Sequence, residues 1–258
     1  MGRRAFVAAN WKMNPDSAAT ARALVQGVRS AAIVDTARVE VALFPPYVWL
    51  PAVADEVHDL PVGLGAQDCF WERSGAFTGE VSASMLAGWC SWVLVGHSER
   101  REHFGETDLD VARKAEAALA SGLSALVCVG ERSEQYDAGE TGPVVARQVR
   151  AALSRLPSVK PPQAELAFAY EPVWAIGSGR TPTPEQVAAV LEEIRAEAAT
   201  TLGAERTRGL RVLYGGSVVA DNVASFTSLE ACDGCLVGGA SLDAAAFSAL
   251  IDAVREVA

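Results

Sequence analysis

Eight short apolar runs, each too brief for a helix and each ending in small or polar residues, recur along this chain at intervals of roughly 30 residues. They are FVAAN (6–10), VEVALF (39–44), VGLGAQ (62–67), WVLVG (92–96), SALVCVG (124–130), ELAFAYE (165–171), RVLYGG (211–216) and CLVGG (235–239). Helical patterns lie between them, among them DLDVARKAEAALASG (108–122) and TPEQVAAVLEEIRAEAATTLG (183–203). In the second, Thr183 reads as the N-cap, Pro184 as the first helical residue and Gly203 as the stop. Alternating strands and helices imply parallel strands joined by right-handed crossovers. Eight such units in 258 residues predict a closed (β/α)8 barrel, with a doubly wound open sheet as the alternative.

No Pro/Gly/Ser-rich linker, charge block or low-complexity segment interrupts the pattern, so residues 1–258 are expected to form a single domain. The N-terminus carries no charged, apolar and small-residue leader, and no apolar run approaches the roughly 18 residues of a membrane span. A cytoplasmic protein is therefore expected. The formal net charge of −10 argues against nucleic acid and anionic membranes as partners. Any anionic substrate must be captured by local groups. The five cysteines, at 69, 90, 128, 232 and 235, are odd in number and scattered, unlike a secreted disulfide framework. Cys232 and Cys235 spell C-x-x-C, but Cys235 opens a strand-like run rather than a helix, which disfavours a redox pair.

In a barrel of this kind reacting groups belong at the C-terminal ends of the strands, and phosphate sites favour the loops after strands seven and eight. The first run ends in ANWKMN, placing Asn10 and Lys12 at the mouth. Lys12 is one of only three lysines, with Lys114 and Lys160, in an arginine-rich chain, which suggests a need for a compact point charge. The fourth run ends in GHSERRE, and His97 is the only one of three histidines at a strand tip. His58 and His103 read as surface residues. The seventh and eighth runs end in YGGS (214–217) and VGGAS (237–241), glycine pairs that let backbone amides approach an anion. Their spacing is not that of a P-loop.

Glu171 closes the sixth run and is followed by PVWAIGSGRTP. A carboxylate facing a histidine and a lysine, with a phosphate cup nearby, suits proton abstraction beside a carbonyl, the cation and imidazole polarising the oxygen. A Schiff-base aldolase would need a lysine projecting from a strand such as ELAFAYE, which has none. Three scattered histidines do not make a metal hydrolase, and GSGRTP (177–182) is not a dinucleotide fingerprint. No metal or cofactor is expected.

The segments NWKMN (10–14), GAFTGEVS (75–82), GHSERREHFGETD (96–108), CVGE (128–131), AYEPVWAIGSG (169–179), LYGGSV (213–218) and DGCLVGGASL (233–242) together resemble the triosephosphate isomerases, over nearly the whole chain. The resemblance implies a TIM barrel that interconverts glyceraldehyde 3-phosphate and dihydroxyacetone phosphate. It implies that Glu171 is the base, His97 a neutral electrophile, Lys12 and Asn10 the groups that bind and polarise the substrate, and Glu99 a supporting acid beside Lys12. Backbone amides of Gly177, Ser217, Gly238 and Gly239 are implied as the phosphate cradle. Pro172, Val173 and Trp174 resemble the first hinge of the family's lid, and Ser178, Gly179 and Arg180 its far hinge.

Some positions depart from the family's pattern. Ser178 and Arg180 stand where threonine and lysine are usual, Ala9 replaces a glycine, and Arg132 replaces a threonine. None is an expected reacting group. The loop AQDCFWERSGAFTGE (66–80) carries Phe70, Trp71 and Phe77, which need cover from the loop or from a partner. In the family this loop enters a neighbouring subunit, with the residue matching Thr78 near that subunit's lysine, so a homodimer is implied. Two other functions stay open: an isomerase of four-carbon ketose phosphates, whose members share GHSERR and YGGS, and a non-catalytic barrel that binds sugar phosphates.

Overall fold

A computed structural model describes residues 3–33, 35–156 and 163–258; Lys160 lies outside them. In chain order the elements are β1 (Ala5–Asn10), α1 (Ala18–Ile33), β2 (Val39–Phe44), α2 (Leu50–Val57), β3 (Val62–Ala66), α3 (Ala83–Leu86), β4 (Trp92–Val95), α4 (Ser98–His103), α5 (Asp108–Ala120), β5 (Ser124–Val129), α6 (Ser133–Asp137) and α7 (Thr141–Leu153). Then follow β6 (Leu166–Tyr170), α8 (Pro184–Leu202), α9 (Ala204–Thr207), β7 (Arg211–Tyr214), α10 (Ala220–Thr227), β8 (Gly234–Val237) and α11 (Ala244–Val257).

The strands pair in sequence order, all parallel, and β8 returns to β1. The sheet is therefore closed, and the open alternative is excluded. Every expected run is a strand, with ends that agree within two residues. These runs read as continuously apolar because both faces of the sheet are covered. Side chains at alternate positions divide between two cores. Phe6, Ala8, Phe44, Trp92, Leu94, Leu126 and Leu213 fill the barrel interior. Val7, Ala9, Val41, Leu43, Val93, Val127 and Val212 face outward to the helices.

Helix α8 begins as its sequence dictates: the Thr183 hydroxyl accepts from the Gln186 amide at 3.3 Å, and the Gln186 carboxamide accepts from the Thr183 amide at 2.9 Å. It stops at Gly203, whose φ is +87°. Helix α5 is shorter than the expected 108–122. It ends at Ala120 because Gly122 takes a φ of +85° and turns the chain into β5.

Two charged clusters fix the ends of the barrel. At the N-terminal end the buried Arg211 lies over the paired rings of Phe6 and Trp92, at 4.6 and 5.2 Å from their centroids. It pairs with Glu40 at 2.7 Å and Glu165 at 2.8 Å, and Trp92 donates its indole N–H to Glu40 at 3.0 Å. At the opposite end Lys114 of α5 is buried and donates to both Asp68 oxygens, at 2.8 and 2.9 Å, and to Glu106. Arg100 of α4 reaches Asp68 at 3.0 Å and also pairs with Glu106. Burial pushes the Asp68 carboxyl up to about 6 even though Lys114 opposes the shift. This cluster ties the loop after β3 to α4 and α5, and α4 is the element that follows His97.

The aromatic loop after β3 covers itself in part. The Phe70 ring lies 4.1 Å from that of Trp71 and 4.7 Å from that of Phe77, and Arg113 sits 5.3 Å over Trp71. Phe77 remains 43% exposed. Cys235 lies on β8 and is buried, as is Cys232, whose thiol is pushed up to about 11 by burial. Neither thiol is poised as a nucleophile.

Candidate active site

At the tip of β1, Asn10 is buried and its carboxamide oxygen accepts the Lys12 amide at 3.0 Å. Lys12 itself has a φ of +53°, a left-handed backbone that non-glycine residues adopt at a cost. A second bond holds it there, from the Gln67 carboxamide N–H to the Lys12 carbonyl at 2.8 Å; the same group also donates to the Phe44 carbonyl at 2.8 Å. The lysine Nζ meets Glu99 Oε1 at 2.6 Å. Burial raises the Glu99 carboxyl, but the Lys12 hydrogen bond, with the neighbouring His97 and the Lys12 charge, outweighs it and holds Glu99 below the ordinary carboxylate range.

At the tip of β4, His97 caps helix α4: its Nδ1 accepts the Glu99 amide at 3.2 Å. A ring nitrogen that accepts carries no proton, so the neutral ring has its N–H at Nε2. That Nε2 lies 3.0 Å from Glu171 Oε1. Glu171, at the tip of β6, is 2% exposed. Its carboxylate also accepts the Ser98 amide at 3.0 Å and the Ser98 hydroxyl at 3.2 Å. The strand end that carries it packs so closely on the end of β5 that a Cβ at Gly130 would lie 1.8 Å from the Glu171 carbonyl oxygen. Only glycine fits there.

Asn10, Lys12, His97 and Glu171 share a cavity of about 260 Å³ with Ser217, Gly238 and Gly239. The glycine loops after β7 and β8 thus face the acid, imidazole and ammonium across one mouth. A Cβ at Gly238 would stand 3.2 Å from Lys12 Cε, so the missing side chain leaves room for the lysine stem. A wider groove of about 990 Å³, between the loops after β4 and β5, meets the smaller cavity at Lys12, Glu171 and Ile176. In the smaller one the acid, imidazole and ammonium meet the glycine loops.

The segment after Glu171 borders this mouth through Ile176. Pro172 and Trp174 are buried, Val173 is half-buried, and Gly177, Ser178, Gly179 and Arg180 are exposed. The Trp174 indole N–H donates to Glu131 Oε1 at 2.8 Å, and the same oxygen accepts from Tyr170 at 3.0 Å and Thr141 at 3.2 Å. Glu131 is fully buried, and burial raises its pKa. Gly177 and Gly179 adopt φ of +69° and +76°, a conformation suited to glycine. Gly177 is not among the residues that line the cavity, and Ile176 is. Thr78 is exposed on the loop after β3 and does not line this mouth.

Sequence reasoning did not single out Gln67, Ser98 or Glu131 as site residues. Gln67 ends an expected run and Ser98 follows His97, so position at a strand tip was a signal for both. Among the described residues, no three His, Cys, Asp or Glu side chains gather so as to hold a metal ion. Among those residues, too, no helix is long and apolar enough to cross a membrane.

The family model described as triosephosphate isomerase matches residues 5–254. The chain is similar to the triosephosphate isomerase of Moorella thermoacetica, at 44% identity over 97% of this chain and 98% of the relative. The corresponding protein of Rhodopirellula baltica is 45% identical over 98% of each chain. That of Chloroflexus aurantiacus is 47% identical over 95% of this chain and 97% of its own.

Proposed function

Because the chain belongs to the triosephosphate isomerase family, we infer that it interconverts D-glyceraldehyde 3-phosphate and dihydroxyacetone phosphate, and we propose how its residues divide the work. One observation carries the division: a buried carboxylate, Glu171, lies 3.0 Å from the N–H nitrogen of a neutral imidazole, His97, across a mouth that also holds Lys12 and the two glycine loops.

The substrate's phosphate binds to amides of Ser217, Gly238 and Gly239, and Gly177 joins them when the lid closes. Glu171 leaves Ser98 and takes a proton from the carbon beside the carbonyl. The electron pair moves into an enediolate, whose negative oxygen is met by His97 Nε2–H, Lys12 Nζ and Asn10. His97 moves a proton from one oxygen to the other, and protonated Glu171 returns its proton to the neighbouring carbon. One proton has changed carbons and one has changed oxygens, so no external oxidant or reductant is needed. This family is itself the standard example of a Glu base paired with a neutral His. Glu99 keeps Lys12 aimed. Closure of the segment between Pro172 and Arg180 excludes water, and the enediolate is reprotonated before it can expel phosphate.

Purified protein is expected to turn over glyceraldehyde 3-phosphate in coupled assays much faster than a four-carbon ketose phosphate. A preference for the four-carbon sugar would keep the chemistry and move the substrate; inactivity on both would overturn the proposal.

We further propose a cytoplasmic homodimer. Met13 (95% exposed), Val48, Phe77, Met85 and Phe104 lie on loops and helices after β1, β2, β3 and β4. Exposed apolar side chains on successive loops suit a second copy, with the loop bearing Thr78 docking beside the partner's mouth. Light scattering on a size-exclusion column should give about twice the chain mass of 27.1 kDa. A single species at the chain mass would exclude it.

A further inference from the structure

We propose that Tyr136 is a positioning residue for the lid: its ring, held against both Trp174 and Arg180, latches the segment open. The inference rests on the isomerase reading of the mouth and deepens it. Tyr136 belongs to α6, in the loop region after β5, and not to the lid. Its ring stacks on that of Trp174, with centroids 3.9 Å apart and planes 20° apart. The Arg180 guanidinium lies 5.1 Å from the Tyr136 centroid and 4.7 Å from that of Trp174. It also reaches Asp137 at 3.6 Å. One ring therefore supports the lid at its beginning and at its end.

The platform is itself fixed. Gln186 donates to the Tyr136 hydroxyl at 3.2 Å while its carboxamide oxygen caps helix α8, the helix that follows the lid. Between the two supports the lid holds only itself: Ala175 donates to Pro172, Ile176 to Val173, Ser178 to Ala175, and Arg180 to the Ser178 hydroxyl. A Cβ added at Gly177 or Gly179 would meet nothing within 4 Å. The tip thus stands clear of the glycine loops that it must cover. To reach them the segment, its end residues included, swings away from α6, and Trp174 and Arg180 leave the Tyr136 ring. Stacking and cation–π contact therefore act on the open side of the equilibrium. A planar guanidinium serves this contact better than an ammonium, which gives Arg180 a role where lysine is the family's usual residue.

The test compares Tyr136→Ala, Tyr136→Phe and Arg180→Gln with the wild type, by calorimetric titration with phosphoglycolate and by separate determination of kcat and KM. Removing the latch should tighten phosphoglycolate about 3- to 10-fold in Tyr136→Ala and lower KM in the same direction, since a ligand of the closed form no longer works against the stack. Tyr136→Phe keeps the ring and should stay within about 2-fold of wild type. Unchanged or weaker phosphoglycolate binding in Tyr136→Ala overturns the latch. Should that variant not fold, Arg180→Gln decides by the same criterion, because its side chain is exposed. Wild-type turnover separates the two readings: an active wild type with unaltered variant affinity removes the latch alone, and an inactive wild type removes both.

Discussion

Glu171→Gln is expected to lower kcat by about 10²- to 10⁴-fold while leaving the unfolding midpoint close to that of the wild type. The amide has the shape of the carboxylate and can still bond the Ser98 amide and hydroxyl, which hold Glu171 at 3.0 and 3.2 Å. It cannot accept a proton from carbon. The loss therefore falls on the chemical step, and substrate binding through the glycine loops should change little. Glu171→Asp keeps the base but withdraws it by one methylene, and a misplacement of about 1 Å costs on the order of 10²-fold. Steady-state kinetics and solvent deuterium incorporation into the substrate's carbon positions check both. A kcat within about 10-fold of wild type in Glu171→Gln would remove this residue as the base.

The second large effect is on stability. Lys114→Met should destabilise the fold by about 3–5 kcal/mol at neutral pH, because it leaves Asp68 and Glu106 buried without their shared ammonium. Arg100 remains near both carboxylates but is half-buried and replaces only part of the lost charge. The pH dependence follows in sign. Asp68 is already pushed up to about 6 by burial, so the folded state binds that proton more tightly than the unfolded chain does. Ionised Asp68 therefore costs stability above about pH 6, and the cost fades as pH falls through that value. Losing Lys114 removes the group that opposes the rise, so the variant's deficit should be largest above neutrality and shrink on acidification. Denaturant melts at fixed protein concentration, at several pH values, check this. A deficit that grew as pH fell would contradict the account of the cluster.

The fold was legible because a parallel barrel buries both faces of its strands. Each strand then reads as an unbroken apolar run, and each run must end where side chains meet water. Those ends carry Asn10, Lys12, His97 and Glu171, so the positions that close the pattern are also those available for chemistry. What stayed hidden depends on contacts between distant segments. Gln67 reaches back to the carbonyls of Lys12 and Phe44, Ser98 holds a carboxylate that lies 73 residues away, and Glu131 gathers donors from Tyr170, Trp174 and Thr141. Beyond position at the end of a run, nothing local in Gln67 or Glu131 differs from a polar residue at a loop start. Arg211 was visible only as the first residue of a run, since its partner Glu40 lies 171 positions earlier. The glycines after β7 were read as part of the strand. The strand ends at Tyr214, although the Gly215 amide still donates to the Tyr170 carbonyl of β6 at 2.7 Å.

The left-handed backbone of Lys12 has a kinetic meaning. Its φ of +53° is maintained by bonds from neighbours already in place in the folded chain, one accepted by Asn10 and one donated by Gln67. In the proposed reaction the ammonium must face charge that exists only fleetingly on an oxygen. Had the lysine been free to search, each catalytic cycle would include the entropy of bringing it into line. Here that cost is incurred once, when the barrel folds, and the electric field stands ready before any substrate arrives.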